Sequence, residues 1–443
     1  MDRATGFEPV GRGFDSLRAH QSFSSVLTKQ DIPSRPAIPQ RLTVVAVLSI
    51  LVIAFGLRVA WRIHRGSADF WTHGYSFYYQ MATNLSKGEG LQLASQSAVR
   101  TPLYPLFLSL TTVGGSSYLW IVVPQALIGA GTAFCAFLIG RVLFGNTAGL
   151  LAGALTAVYP YYVAHDTALQ DTSLATFLTA LAVFLLLNAW YSTSIRKWAL
   201  AGLSLGLCVL GRPTIVPFAL GALVWVWLVC EGTRRLRFYS LLAVLLPLCL
   251  VVGSWLARNA FILGTPTLTS EVGVQLWVGN NPYTFTHYPG ESINLSAEAA
   301  SDALPPGDQA QLGALAGSEV ERDNWFLRRA LAYMREHPRE TAYAAGRKIL
   351  AGFSWTLNPV KDSRAQMIYF LSYVPILILG VVGVSLTWRR WRELSLIYLL
   401  VLSFAAVAAV FFAHTSHRSP LDVYLIVFAA YALQCLFTRP GRW

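Results

Sequence analysis

Repeated apolar runs near bilayer length constrain this chain more than any other feature. They fall at about 42–60, 118–139, 148–164, 168–191, 198–229, 238–256, 366–386, 394–412 and 421–437. A helix needs about 20 apolar residues to cross a hydrocarbon core about 30 Å thick. Lipid offers no partner to a backbone N–H or C=O, so only helices or closed barrels span it. These runs are continuous rather than alternating, which selects helices. The 198–229 run is broken by Gly211-Arg212-Pro213 and is long enough for two short helices meeting there. The expectation is an all-α polytopic integral membrane protein of about ten transmembrane helices, in a range of about nine to twelve.

Composition agrees: of 443 residues, 54% are hydrophobic and only 13% charged, too little polar surface for a soluble chain of this length. The formal charge of +12 does not imply nucleic acid. The basic residues gather in short loops such as Arg196-Lys197, Arg234-Arg235-Arg237 and Arg389-Arg390-Arg392, as cytoplasmic retention requires. The five cysteines have no metal-ligand spacing and read as buried thiols.

Charge and hydropathy divide the chain into five parts. Residues 1–41 read as a cytoplasmic tail and 42–256 as an N-terminal transmembrane core that includes an outer loop at 61–100. Residues 257–365 read as an extracytoplasmic segment with interfacial helices, 366–437 as C-terminal transmembrane helices and 438–443 as a second cytoplasmic tail. With both termini inside, segments 61–100 and 257–343 share the outer face. Within them, 75–85, 321–337 and 341–357 have helical spacing, whereas 291–308 reads as an acidic loop. The apolar stretch 102–113 is too short to cross alone.

Polar groups collect at the outer ends of the spans. Asp69, His73 and Tyr75 lie in the first outer loop, and His165, Asp166 and Asp171 sit between spans. An acid near bilayer depth is costly and usually functional, although Asp171 would also suit a helix start. Arg258 ends a span, Arg418 lies between the last two, and Arg212 marks the helix break; Arg100 and Arg347 belong to the same face. Guanidinium groups grip phosphate in a bidentate way, and snorkelling to headgroups is the competing reading for Arg258. Glu271, Asn280, Asn281 and His417 are candidates for substrate hydroxyls, with a plain turn the alternative for Asn281. Together these residues suit a substrate with an anionic head and an apolar tail, such as a sugar carried on a lipid phosphate. No cofactor is firmly read from the chain: His414 and His417, three residues apart, could join Asp69 or His165 at a divalent metal, but two histidines without a fixed third ligand are weak evidence for one.

Several runs resemble a known group. They are Tyr78-Tyr79-Gln80-Met81-Ala82-Thr83-Asn84-Leu85, Gly88-Glu89-Gly90, Arg100-Thr101-Pro102-Leu103-Tyr104-Pro105 and Tyr159-Pro160 leading to Asp171. Gly211-Arg212-Pro213, Trp255 with Arg258-Asn259, Gly279-Asn280-Asn281-Pro282, and Arg418 with Pro420 complete the set. In order and spacing they resemble the GT-C type glycosyltransferases, notably bacterial relatives of the protein O-mannosyltransferases and of the aminoarabinose transferases that modify lipid A.

The resemblance implies a GT-C-like core with an outward-facing cavity, in a bacterial inner membrane with its site toward the periplasm or exterior. It implies a polyprenyl-phosphate sugar donor, a lipid, glycan or protein acceptor, and a first outer loop carrying the catalytic acid. Tyr78 and Tyr104 would line the substrate site. Relatives place that acid a few residues before the tyrosine matching Tyr78, where this chain has Gly74-Tyr75. Asp69 is then the expected base, with Asp166 and His73 as substitutes and Asp171 orienting the acceptor. Acceptor recognition would fall to 257–343 or to an accessory membrane protein. A lipid-linked glycan ligase or polymerase, a transporter of an anionic lipid-linked substrate, and a noncatalytic scaffold are the competing readings.

Overall fold

A computed structural model describes residues 39–438, apart from 73, 95, 113, 114, 116, 193 and 231. The chain divides into two units, Met1–Leu42 and Thr43–Trp443. In the first unit only 39–42, at the start of the first helix, are described. The second unit, among its described residues, is built of helices joined by loops, with no strand beyond one isolated bridge between Leu93 and Gln96. Seven helices are long and apolar enough to cross a membrane, and Asn146–Val158 and Pro213–Val229 are shorter apolar helices.

The first helix, α1 (Gln40–Thr72), runs farther than its apolar stretch. Residues 61–72, expected in a loop, continue the helix because Arg58 and Arg62 turn inward and are buried. Gly66, at φ 77° and ψ 174°, breaks the helical backbone in a conformation that favours glycine, so 67–72 follow as a short helix across a kink. The short helices α2 (Ser76–Ser86) and α3 (Leu103–Thr111) come next; at 1.5 Å per residue, α3 is only about 13 Å long and does not cross.

Helices α4 (Leu119–Phe144) and α5 (Asn146–Val158) turn at Gly145 and pack closely. A Cβ on Gly149 would lie 2.6 Å from the Phe137 carbonyl oxygen, so a small residue is needed at that contact. After α6 (Pro160–His165), α7 (Thr172–Trp190) leads to α8 (Ile195–Gly211) and α9 (Val216–Val229). Trp190 Nε1 donates to the Val229 carbonyl at 3.2 Å, so α8 and α9 go out and come back. The Gly-Arg-Pro break is therefore a hairpin tip rather than a kink. α10 (Arg234–Leu263) returns along α8, and α16 (Ser363–Leu386), α17 (Trp391–Val410) and α18 (Ser419–Thr438) close the bundle.

The second polar segment folds as α11 (Val272–Gly279), α12 (Ile293–Asp302), α13 (Pro306–Ala314), α14 (Glu319–Glu336) and α15 (Pro338–Gly352). Leu276, Trp277, Leu304, Trp325, Phe326 and Ala330 form its own core. The stretch 291–308, expected as a loop, is mostly helical: the Ser292 hydroxyl caps α12 and Pro306 opens α13.

The ends of the bundle differ in character. At one end Asn146 Nδ2 donates to Thr43 Oγ1 at 2.8 Å and Arg390 Nη2 to the Leu143 carbonyl at 2.9 Å, among the basic loops. At the other end the two large polar segments interlock. Glu319 accepts from Ser97 N at 2.8 Å, Ala98 N at 3.3 Å and Ser270 Oγ at 2.6 Å. Ser270 N donates to the Ala98 carbonyl at 2.8 Å, and Arg258 Nη1 to the Ser97 carbonyl at 2.7 Å. Both segments thus lie on one face, away from the basic loops.

Glu319 gathers three of these bonds. Glu319→Ala leaves the Ser97 and Ala98 amides without their acceptor, at a cost of about 1–3 kcal/mol. Faster hydrogen exchange at 96–100 than in the parent protein is the expected result; unchanged protection there would remove Glu319 as the tie between the segments.

Candidate functional site

The α8–α9 hairpin tip sets the site. Arg212 precedes Pro213, which disfavours helical backbone, and adopts φ −154° and ψ 113°. That ends α8 and leaves the guanidinium beside Asp171, the residue before α7. Arg212 Nε lies 3.0 Å from Asp171 Oδ2 and Nη2 2.7 Å from Oδ1, a bidentate pair. The side chains stay 15% and 13% exposed, so the pair is not sealed. Arg212 Nη1 is buried without a hydrogen-bond partner.

The first outer loop is pinned against this pair. Tyr75 N donates to the Leu169 carbonyl at 2.8 Å, and a Cβ on Gly74 would overlap the Leu169 side chain. Tyr78 is buried behind it, edge-on to Tyr104 at 4.9 Å. Burial, and then the neighbouring Asp171 carboxylate, push the Tyr78 phenol up, so it stays a donor at neutral pH. Tyr75, Phe77 and Tyr78 form an aromatic wall, with Arg100 over the Phe77 ring at 5.0 Å. Arg100 pairs with Glu271, which also accepts from Gln275 Nε2 at 3.0 Å. The charge of Arg212 also reaches His417, on the loop before α18.

The other candidates lie elsewhere or are already engaged. Asp69 sits beyond the Gly66 bend and pairs with Arg62 at 2.8 Å and with Arg65. Asp166 is locked to Arg58 at 2.8 Å, with side chains 2% and 0% exposed. Arg418 is buried against Asp422 at 2.9 Å, donates to the Tyr369 hydroxyl at 2.7 Å and lies 3.9 Å over the Tyr373 ring. Arg258 holds Ser97 and Asn259 and covers Trp255. Arg347 is exposed, 3.8 Å over the Phe285 ring. Tyr104 donates to Gln125 Oε1 at 2.9 Å within the core.

His165 accepts from Gln170 at 2.7 Å; burial pushes it down to about 4, which leaves the ring neutral. His73 falls outside the described residues. Asn280 and Asn281, read as contacts for sugar hydroxyls, are buried and committed to structure. Asn280 Nδ2 donates to the Val410 carbonyl at 2.7 Å while its Oδ1 accepts from Lys348 at 3.0 Å. Asn281 donates to the Trp277 carbonyl and accepts from Tyr283 N, both at 2.7 Å, so the turn reading holds for it.

Sequence reasoning singled out neither Arg58 nor Glu319. Arg58 was visible as a cation inside an apolar run, which alone marks a buried partner. Glu319 carried no local signal. Among the described residues no group of three or more His, Cys, Asp or Glu is placed to hold a metal ion.

Residues 99–256, which hold Arg100, Asp171 and Arg212, match the family model described as dolichyl-phosphate-mannose-protein mannosyltransferase. No curated protein matches the chain by sequence. Among solved structures, the Archaeoglobus fulgidus oligosaccharyltransferase in its apo form is similar at TM-score 0.50 and 15% identity, over 88% of this chain and 50% of that one. The complex of that organism's oligosaccharyltransferase AglB with an inhibitory peptide and a dolichol-phosphate gives TM-score 0.47 at 16% identity, with the same coverage. The chain thus spans about half the length of the solved proteins it matches. Residues 99–256 are thus similar to that mannosyltransferase family, and the helical core shares the fold of the oligosaccharyltransferase; the chain is an all-α polytopic membrane protein.

Proposed function

We propose that the protein is an inverting glycosyltransferase. It moves a sugar from a polyprenyl-phosphate donor to an acceptor on the extracytoplasmic side of a bacterial inner membrane. One observation carries the reading: the partly open Asp171–Arg212 pair lies beside an aromatic wall, on the face where the two outer segments interlock. The basic loops lie at the opposite end, and positive loops stay in the cytoplasm.

In a single displacement the acceptor hydroxyl oxygen attacks the anomeric carbon. The bond from that carbon to the phosphate oxygen breaks, and polyprenyl phosphate leaves with the electron pair. Asp171 takes the acceptor proton, and Arg212 meets the charge that grows on the phosphate. Tyr75, Phe77 and Tyr78 give the sugar ring an apolar surface, and the Tyr78 hydroxyl donates to it. Asp171 is preferred to Asp69 because it alone of the two stands beside the aromatic wall. Acceptor choice falls to α11–α15 or to an accessory membrane protein.

The test is release of polyprenyl phosphate. Purified protein in lipid nanodiscs, given polyprenyl-phosphate-linked single sugars and envelope acceptors, is expected to free the carrier as sugar appears on the acceptor. Movement of labelled lipid across a vesicle membrane with the sugar still attached would overturn the reading in favour of transport.

A further inference from the structure

A carboxylate whose two oxygens both accept from one guanidinium has its lone pairs engaged and is poorly placed to take a proton from an incoming hydroxyl. Asp171 accepts from Arg212 through both oxygens, at 3.0 and 2.7 Å. Arg212 commits only its Nε–Nη2 edge to that contact, while Nη1 remains buried and unpartnered. A guanidinium has a second edge, Nη1–Nη2, that fits two phosphate oxygens. Nη2 belongs to both edges, so a phosphate that takes the second edge fully competes with Asp171 for it.

On the transferase reading, we propose that Arg212 changes partner during the cycle, so that the donor phosphate draws the guanidinium away and releases Asp171 as the base. The orphaned Nη1 is the landing point. Before the donor arrives the acid is masked, and an acceptor hydroxyl or water meets a competent base only when a donor is in place. After transfer the carrier phosphate gains charge and holds Arg212 more strongly, so Asp171 recovers its partner only when the carrier leaves. The groups facing the pair are Tyr75, Tyr78, Arg100, Tyr104 and His417. Arg100 is already paired with Glu271, which leaves Arg212 as the cation in play.

Exchange gives an inverted prediction: losing the acid tightens binding of the lipid. With the full chain in nanodiscs and undecaprenyl phosphate as the probe, Asp171→Asn is expected to bind about tenfold tighter than the parent and Arg212→Gln about tenfold weaker. In the parent, infrared difference spectra on adding the probe should show an aspartate carboxylate band shifting from its ion-paired position, absent in Asp171→Asn. Equal or weaker binding by Asp171→Asn overturns the exchange. So does tighter binding without the band shift, which would report only relief of repulsion. Failure of the parent protein to bind the probe at all would instead count against the transferase reading.

Discussion

Asp171→Asn is expected to cut sugar transfer by roughly 10²–10⁴-fold, the usual worth of a positioned general base. Asp69→Asn is expected to cost less than about tenfold, because no proton transfer passes through it. Asp69 already has Arg62 and Arg65 just across the Gly66 bend, whereas Asp171 stands between Arg212 and the tyrosines of the first outer loop. Asparagine keeps the shape of aspartate, so the variant should keep its fold, and with the charge gone it should bind the carrier phosphate more tightly than the parent. Melting temperature and undecaprenyl phosphate binding, measured beside turnover, separate lost chemistry from lost protein. An inactive, folded Asp69→Asn with an active Asp171→Asn would return the base to Asp69 and leave Asp171 a tether for Arg212.

How much of the fold was legible in the sequence depends on how local each constraint is. Apolar runs give helices because lipid forbids other backbone, and the hairpin at Gly211-Arg212-Pro213 is written in adjacent residues. The helices at Glu319–Glu336 and Pro338–Gly352 likewise arise from spacing within each segment. The stretch 291–308 escaped because its composition suits a loop, although Ser292 and Pro306 were helix-start signals in plain sight.

The site was harder to read because its partners are remote. Asn280 has the composition of a sugar ligand, but its side chain ends on Lys348 and on the Val410 carbonyl, 68 and 130 positions away. Asp171 meets Arg212 across 41 positions. Which acids would be left beside the aromatic wall depended on where each found an arginine, and no spacing rule supplies that.

Asp166 is the case where stability and chemistry can be pulled apart. The pair with Arg58 is buried, and Arg58 Nη1 also donates to the Ala54 and Ala157 carbonyls at 2.9 and 3.1 Å. A Cβ on Gly129 would overlap both the guanidinium and the carboxylate, so a helix backbone presses directly on the pair. Arg58→Met alone leaves a carboxylate buried without its cation and is expected to cost about 3–5 kcal/mol, a loss large enough to unfold a marginal membrane protein. Arg58→Met with Asp166→Leu removes both charges and is expected to recover most of that loss, since apolar replacement of a buried pair is often neutral or better. Thermal unfolding in detergent reads the single and double variants. Turnover of the double variant then decides the role of Asp166: near-parental transfer assigns it to holding α1 against the loop before α7, while a stable but inactive double variant brings Asp166 back into the chemistry.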